Sequence, residues 1–195
     1  MTIVNTTSPN HFSTAANNIA HYFNDIIYSL GEGTNGEVLS ISANITLGGA
    51  NTTQIYVTGI FTSAGNTTCN SVALWDGNEW SPLGEGIHIL MEYDDYPILQ
   101  IEIWGAYLFV GGAFDKAGSE NVNNIAKWDT NNQVWLSVGD EKRFNQLIMA
   151  PFAINNTGGE LLVVARSYDE FHIDNLIVSG KLFIFYTLRV LLYVY

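Results

Sequence analysis

Short apolar runs separated by polar turns dominate the pattern of hydrophobic and polar positions along the chain. Residues 72–75 (Val-Ala-Leu-Trp) form one such run. The next four residues, 76–79 (Asp-Gly-Asn-Glu), are typical of a turn, because Asp and Asn bond to their own backbone and Gly accepts a positive φ. Trp80 then opens a return strand, so the pattern predicts a β-hairpin over residues 73–83. No apolar stripe of period 3.6 predicts a long helix.

Other apolar runs predict further strands. Residues 55–61 and 108–114 are two strand runs of similar sequence. Both contain internal glycines, which in a strand indicate a bulge or the close approach of another backbone. These glycines are Gly59, Gly111 and Gly112. Residues 38–45 and 87–91 are each expected to supply one more strand.

The pattern repeats with a period of 53 residues. One block, Asn-Ile-Ala-x-Trp in its clearest copy, occupies residues 18–22, 71–75 and 124–128. A second block, Leu-Gly-Glu-Gly, starts at Leu30 and again at Leu83. Its third copy follows after 55 residues, because two residues are added in the preceding turn.

Three or four short strands in every repeat are typical of a β-propeller blade of the kelch-like kind. We therefore predict an all-β fold, an incomplete β-propeller of about three to four kelch-like blades. Tryptophans are expected to fill the space between neighbouring sheets, each burying about 150–250 Å². The predicted structural residues are Trp75, Trp80, Trp128, Trp135, Gly59, Gly112, Phe61 and Phe114.

The order of motifs in one repeat resembles a known family. A strand is followed by Gly-Gly-x-Phe, Ala-Gly, Asn-Asn-Ile-Ala-x-Trp-Asp, a turn, Trp and Leu-Gly. This order resembles the kelch-like and galactose-oxidase-like repeats of fungal cortical marker proteins for cell polarity and of related bacterial surface proteins. The resemblance covers residues 12–165 and is closest over residues 110–135. It implies a non-enzymatic scaffold at the cell surface and carries no catalytic residues.

The predicted organisation has three parts: a tail over residues 1–11, the repeat array over 12–175, and an apolar segment over 176–195. The array holds fewer than four repeats, whereas propellers close with about 4–8 blades. We therefore expect a fragment of a longer surface protein, or copies that associate to complete the ring. Lys181 and Arg189 interrupt the apolar segment, which is read as one or two strands, a membrane segment or an atypical tail.

Composition narrows the class of partner. Lys and Arg total 7 while Asp and Glu total 19, which gives a net charge of −12. So acidic a chain repels phosphate backbones, so we expect no nucleic-acid partner. The hydrophobic fraction of 47% excludes a disordered chain. The expected partner is a protein or a glycan.

Residues that could carry chemistry are sparse. Cys69 is the single cysteine, which excludes a disulfide framework and a cysteine-based zinc site. The histidines share no ligand spacing, and no phosphate loop or nucleophile elbow is present. Acidic residues at matching turn positions are read as exposed turn acids or as ligands for a cation such as calcium. These are Glu32, Glu85 and Asp140. We predict that the chain is not an enzyme and binds no metal or cofactor.

An acidic and aromatic cluster specific to one repeat is the predicted binding site. Its residues are Glu92, Tyr93, Asp94, Asp95 and Tyr96. Loops of this kind carry function more often than cores do, and aromatic side chains stack on sugars. A solvated acidic loop is the plainer interpretation. The alternative function is a carbohydrate-active propeller enzyme, because glycoside hydrolysis uses two carboxylates.

The compartment is left open by the sequence. The first residues have no basic and apolar leader, so no secretory signal is predicted. Five Asn-x-Ser/Thr sequons nevertheless predict a glycoprotein surface. They lie at Asn5, Asn44, Asn51, Asn66 and Asn155.

Overall fold

A computed structural model describes residues 16–45, 53–90, 99–138, 148–156, 159–166 and 181–186, the last three ranges by their backbone. The chain divides into two compact units, unit 1 (Met1–Ile87) and unit 2 (His88–Tyr195). Every regular element in the described ranges is a β-strand. The predicted all-β class is therefore confirmed.

The strands of unit 1 are β1 (Ala20–Phe23), β2 (Ile26–Ser29), β3 (Glu37–Ile45), β4 (Thr53–Ile60), β5 (Ser63–Ala64), β6 (Thr67–Thr68), β7 (Val72–Trp75) and β8 (Trp80–Pro82). β3, β4, β7 and β8 form a four-stranded antiparallel meander. The predicted hairpin over 73–83 is confirmed as β7 and β8, in which Trp75 lies opposite Trp80. The short hairpin β5–β6 interrupts the connection between β4 and β7.

Strand β9 (Ile87–Ile89) spans the boundary between the units. The strands that follow are β10 (Gln100–Trp104), β11 (Tyr107–Gly111), β12 (Phe114–Ala117), β13 (Glu120–Asn121), β14 (Ile125–Asp129), β15 (Val134–Ser137), β16 (Ile148–Asn156), β17 (Gly159–Arg166) and β18 (Lys181–Tyr186). β10, β11, β14 and β15 form a second four-stranded antiparallel meander. The hairpin β12–β13 stands where β5–β6 stands in unit 1.

The central strands of the two meanders share one register. Val57 pairs with Ala73 in unit 1, and Val110 pairs with Ala126 in unit 2. The other three pairs of β4 with β7 also recur 53 residues later between β11 and β14. The hairpin β1–β2 has the register of β7–β8, since Ala20 lies opposite Ser29. The sequence repeat is thus also a repeat of backbone hydrogen bonding.

The strand expected over residues 87–91 is present as β9, which belongs to the sheet of β12 and β13. The first strand of the second meander is β10, which was not predicted and is joined to β11 by the two-residue turn of Gly105 and Ala106. Gly105 has a φ of 58°, which a tight hairpin of this length requires.

The last described sheet departs from the repeat. β16 and β17 pair antiparallel, but β18 pairs parallel with β17. Of the apolar segment 176–195, residues 181–186 therefore form a strand, and the remainder lies outside the described residues. Within the described residues, no helix has the length and apolar character needed to cross a membrane.

The core of unit 1 joins residues from two repeats. Ile19 and Leu30 flank β1 and β2, and they cluster with Val57, Ala73 and Trp80 of the meander. In unit 2, Phe109 and Ile125 form a cluster with partly buried aromatic neighbours. Burying the side chains of one repeat against the next is the expected source of stability in an array of small sheets.

Candidate functional site

The predicted binding residues, Glu92 to Tyr96, lie outside the described residues. Both flanks of this segment belong to unit 2. Before it, the Leu90 amide donates to the carbonyl of Ala113 at 3.0 Å. After it, Leu99 is fully buried. The described residues on either side of it, Leu90 and Leu99, are thus part of unit 2.

Residues of the Asn-Ile-Ala-x-Trp block hold a left-handed backbone. Asn18, Ser71 and Asn124 have φ values of 61°, 62° and 63°. Asn is one of the few residues other than Gly that adopts this conformation readily. The amides of Ser71 and Asn124 each donate at 3.0 Å to a buried phenylalanine carbonyl, that of Phe61 and Phe114 respectively. These motif residues therefore have a structural role in the backbone turns.

The glycines within the two strand runs form backbone hydrogen bonds with these left-handed residues. The amides of Gly59 and Gly112 donate at 3.0 Å to the carbonyls of Ser71 and Asn124. Gly59 also lies opposite a β-bulge at Val38, and a Cβ there would lie 2.0 Å from the carbonyl oxygen of Glu37. A close backbone approach therefore requires glycine at this position.

The asparagines just before Asn18 and Ser71 each cap a Leu-Gly-Glu-Gly turn. Asn17 Nδ2 donates to the Glu32 carbonyl at 3.0 Å, and Asn70 Nδ2 donates to the Glu85 carbonyl at 2.8 Å. The side chains of both glutamates are exposed. Asp140, the third predicted acid of this set, lies outside the described residues. No group of three or more His, Cys, Asp or Glu in the described ranges could hold a metal ion.

The predicted tryptophans form two matching pairs. The ring centroids of Trp75 and Trp80 lie 5.3 Å apart, as do those of Trp128 and Trp135. Trp75 is half-buried, and the other three are buried. In unit 1, Trp80 Nε1 donates to the carbonyl of Leu30 at 2.8 Å, which ties β8 to the turn after β2. In this unit, an indole therefore joins two successive repeats.

Two aspartates close the hairpins that follow β7 and β14. Asp76 Oδ1 accepts the amides of Asn78 and Glu79, and Asp129 Oδ1 accepts those of the two asparagines that follow Thr130. The Glu79 amide is the main cause that lowers the pKa of Asp76. The Asn132 amide is the main cause that lowers the pKa of Asp129. Both carboxylates stabilise turns.

Cys69, the single thiol, is buried in the core of unit 1. Burial raises its pKa, which disfavours the reactive thiolate.

One contact between repeats uses neutral polar groups in unit 1. We call it the unit 1 loop contact: Asn35 with Thr62 and Ser63. Asn35 Oδ1 accepts both amides at 2.9 Å, and Nδ2 donates to Thr62 Oγ1 at 2.8 Å. The Asn35 amide also donates to the Ser63 carbonyl at 3.0 Å.

The matching contact in unit 2 carries titratable groups. We call it the unit 2 loop contact: His88 with Asp115, which stand 53 residues after Asn35 and Thr62. His88 Nδ1 lies 2.6 Å from Asp115 Oδ1, and the side chains are 65% and 44% exposed. Sequence analysis missed this pair, although the repeat period aligns it with Asn35 and Thr62. It stands just before the predicted binding segment in the sequence, and it has two ionisable side chains where the unit 1 loop contact has neutral ones.

Exposed aromatic groups mark the hairpin β1–β2. The Tyr22 side chain is 65% exposed, and its hydroxyl donates to Asp25, a bond that raises the pKa of Tyr22. His21 and Tyr28 stack on the other face with ring centroids 5.6 Å apart. With the period of 53 residues, Tyr22 stands at the position of Trp75 and Trp128 in the later repeats. Tyrosines are frequent at interaction surfaces because they combine an apolar ring with a polar hydroxyl.

The sequons have different surroundings. Asn66 is exposed at the tip of the hairpin β5–β6, whereas Asn44 is half-buried within β3. The side chains of the other three sequon asparagines lie outside the described residues.

No family model, curated protein or solved structure matches the chain. The contacts above are thus the basis for a function.

Proposed function

We propose that the chain is a non-catalytic scaffold of kelch-like β-propeller repeats that mediates protein or glycan interaction. The observation that carries this proposal is the use of the repeated polar residues. Asn70 caps a turn, Ser71 and Asn124 supply left-handed positions, and Asp76 and Asp129 close hairpins. Because these motif residues form and stabilise backbone turns, a structural role for the repeat is favoured over a catalytic one.

The propeller architecture is part of the same proposal. Four-stranded antiparallel meanders whose central strands share one register, each interrupted by a short hairpin, are the arrangement expected of successive blades. A protein of about three to four blades would be a piece of a larger surface protein, such as those of cell polarity, or would associate with further copies to close the ring.

Function then belongs to exposed positions that differ between repeats. The unit 2 loop contact, which stands just before residues 92–96 in the sequence, is one such surface, and the exposed tyrosines of β1–β2 are another. The described residues before position 139 contain ten Asp or Glu and two Lys. Complementary charge would therefore favour a cationic protein surface or a neutral glycan over an anionic partner.

The test compares binding with turnover on one panel of neutral and cationic glycans. The repeat-swap variant His88→Asn with Asp115→Thr gives the unit 2 loop contact the Asn and Thr side chains of the unit 1 loop contact. We expect binding without turnover by the full chain, and weaker binding by the swap variant with an unchanged thermal midpoint. Turnover that is lost in Glu92→Gln or Asp94→Asn would instead show an enzyme. No binding to any glycan would leave protein surfaces as the class of partner.

A further inference from the structure

The unit 1 loop contact contains an Asn-Gly sequence, Asn35-Gly36, the one such dipeptide in the chain. Asn-Gly is the dipeptide most prone to lose the side-chain amide, because glycine leaves its own backbone nitrogen unhindered. In the folded protein, this asparagine is bonded through both atoms of its amide group. The sequence therefore favours deamidation of Asn35, whereas the hydrogen bonds of the folded protein oppose it.

The fold itself imposes the reactive neighbour. A Cβ at position 36 would lie 2.0 Å from the carbonyl oxygen of Ile60, so no larger residue fits without moving the backbone. The bonds to Thr62 and Ser63 in turn favour asparagine at position 35. The corresponding pair in unit 2 is His88 and Ile89, which cannot undergo this reaction.

We propose that Asn35 is a site of spontaneous deamidation whose rate is set by opening of the unit 1 loop contact. The deprotonated backbone nitrogen of Gly36 attacks Cγ of Asn35, forming a new C–N bond. The bond from Cγ to Nδ2 breaks, and ammonia leaves with the proton it takes from solvent. Water then opens the resulting cyclic imide at either carbonyl, giving aspartate or isoaspartate.

The closed contact opposes the first step. Three hydrogen bonds of 2.8–2.9 Å hold the Asn35 side chain against Thr62 and Ser63, and they oppose its swing onto the Gly36 nitrogen. Reaction is therefore favoured in molecules in which the unit 1 loop contact has opened.

The two products affect the contact differently. Aspartate keeps an oxygen that can accept the amides of Thr62 and Ser63. Isoaspartate adds one carbon to the backbone just before β3, where Gly36 is already confined by Ile60. Deamidation through isoaspartate would thus keep the unit 1 loop contact open and record its past opening.

The experiment follows deamidation of the full chain by peptide mapping at neutral pH, in buffer and in urea. Thr62→Val removes the hydroxyl that accepts from Asn35 Nδ2, and Thr62→Ser is the matched control that retains it. Loss of one hydrogen bond predicts deamidation about two- to tenfold faster in Thr62→Val, with Thr62→Ser close to the parent. In urea, all three chains should react at one common, faster rate.

Two results would overturn the proposal. Equal rates in buffer and in urea would show that the folded contact gives no protection. An Asn35 that stays intact in urea would show that it is not a reactive site. Both readouts are independent of any binding partner, so they can fail while the proposed scaffold function stands.

Discussion

Replacing Trp80 by phenylalanine tests the contact that joins the first two repeats. The indole nitrogen donates to the Leu30 carbonyl, and the ring is 6% exposed. Phenylalanine cannot donate this bond, and the Leu30 carbonyl then keeps only the bond from the Gly33 amide at 3.0 Å. The loss of one hydrogen bond costs about 0.5–1.5 kcal/mol, and the smaller ring adds about 1 kcal/mol of lost packing. We expect the free energy of unfolding to fall by about 1.5–2.5 kcal/mol.

The matched control is Trp75→Phe, on the facing strand of the same hairpin. Trp75 is half-buried and packs through its ring carbons, with Cζ3 lying 3.1 Å from where a Cβ of Gly31 would stand. The same change there should cost only about 1 kcal/mol. Urea unfolding followed by far-ultraviolet circular dichroism measures both variants. Equal costs would refute the assignment of Trp80 as the hydrogen-bonded link between repeats.

Three other perturbations test separate parts of the fold. Thr58 Oγ1 is buried without a hydrogen-bond partner among the described residues, so Thr58→Val should raise the free energy of unfolding by about 1 kcal/mol in urea titrations, and a loss would contradict this. Gly118 and Gly105 have φ values of 57° and 58°, but a Cβ at Gly118 alone would meet a ring, at 2.9 Å from Trp135 Cδ1. Thermal unfolding should therefore show that Gly105→Ala lowers the free energy of unfolding by about 1–2 kcal/mol and that Gly118→Ala lowers it by at least about 1 kcal/mol more. Equal losses in the two variants would refute tight packing of Gly118 against Trp135. Hydrogen bonds in its turn lower the pKa of Asp129 in the folded protein. The ionised carboxylate therefore stabilises the fold at pH values above the ordinary aspartate pKa, and this stabilisation is lost as the pH falls through the lowered pKa. Asp129→Asn should thus be less stable than the parent near neutral pH and approach it in acid; a difference that is constant with pH would contradict the assignment.

Local turn chemistry explains which strands could be predicted. Residues 76–79 combine an aspartate that accepts two following backbone amides with a glycine of φ 106°. The hairpin over 73–83 is therefore determined by residues that are neighbours in the sequence. The period of 53 residues likewise predicted where strands recur, because the Asn-Ile-Ala-x-Trp block returns in each copy. β10 was missed, although Gly105 between two alternating apolar runs is a hairpin signal.

Contacts between distant segments explain what could not be predicted. β9 pairs with β12, and β18 lies parallel to β17; neither choice depends on residues next to each other in sequence. The unit 2 loop contact is equally nonlocal, since His88 and Asp115 become neighbours only when the loops meet. A lone histidine and a lone aspartate give no spacing signal.

Amide hydrogen exchange at equivalent positions of the two meanders tests the structural repeat most directly. Gly59 and Ser71 in unit 1, and Gly112 and Asn124 in unit 2, donate amide hydrogen bonds of 3.0 Å. The account predicts that all four amides exchange slowly in the native protein. It would be contradicted if either pair exchanged as fast as an unstructured peptide.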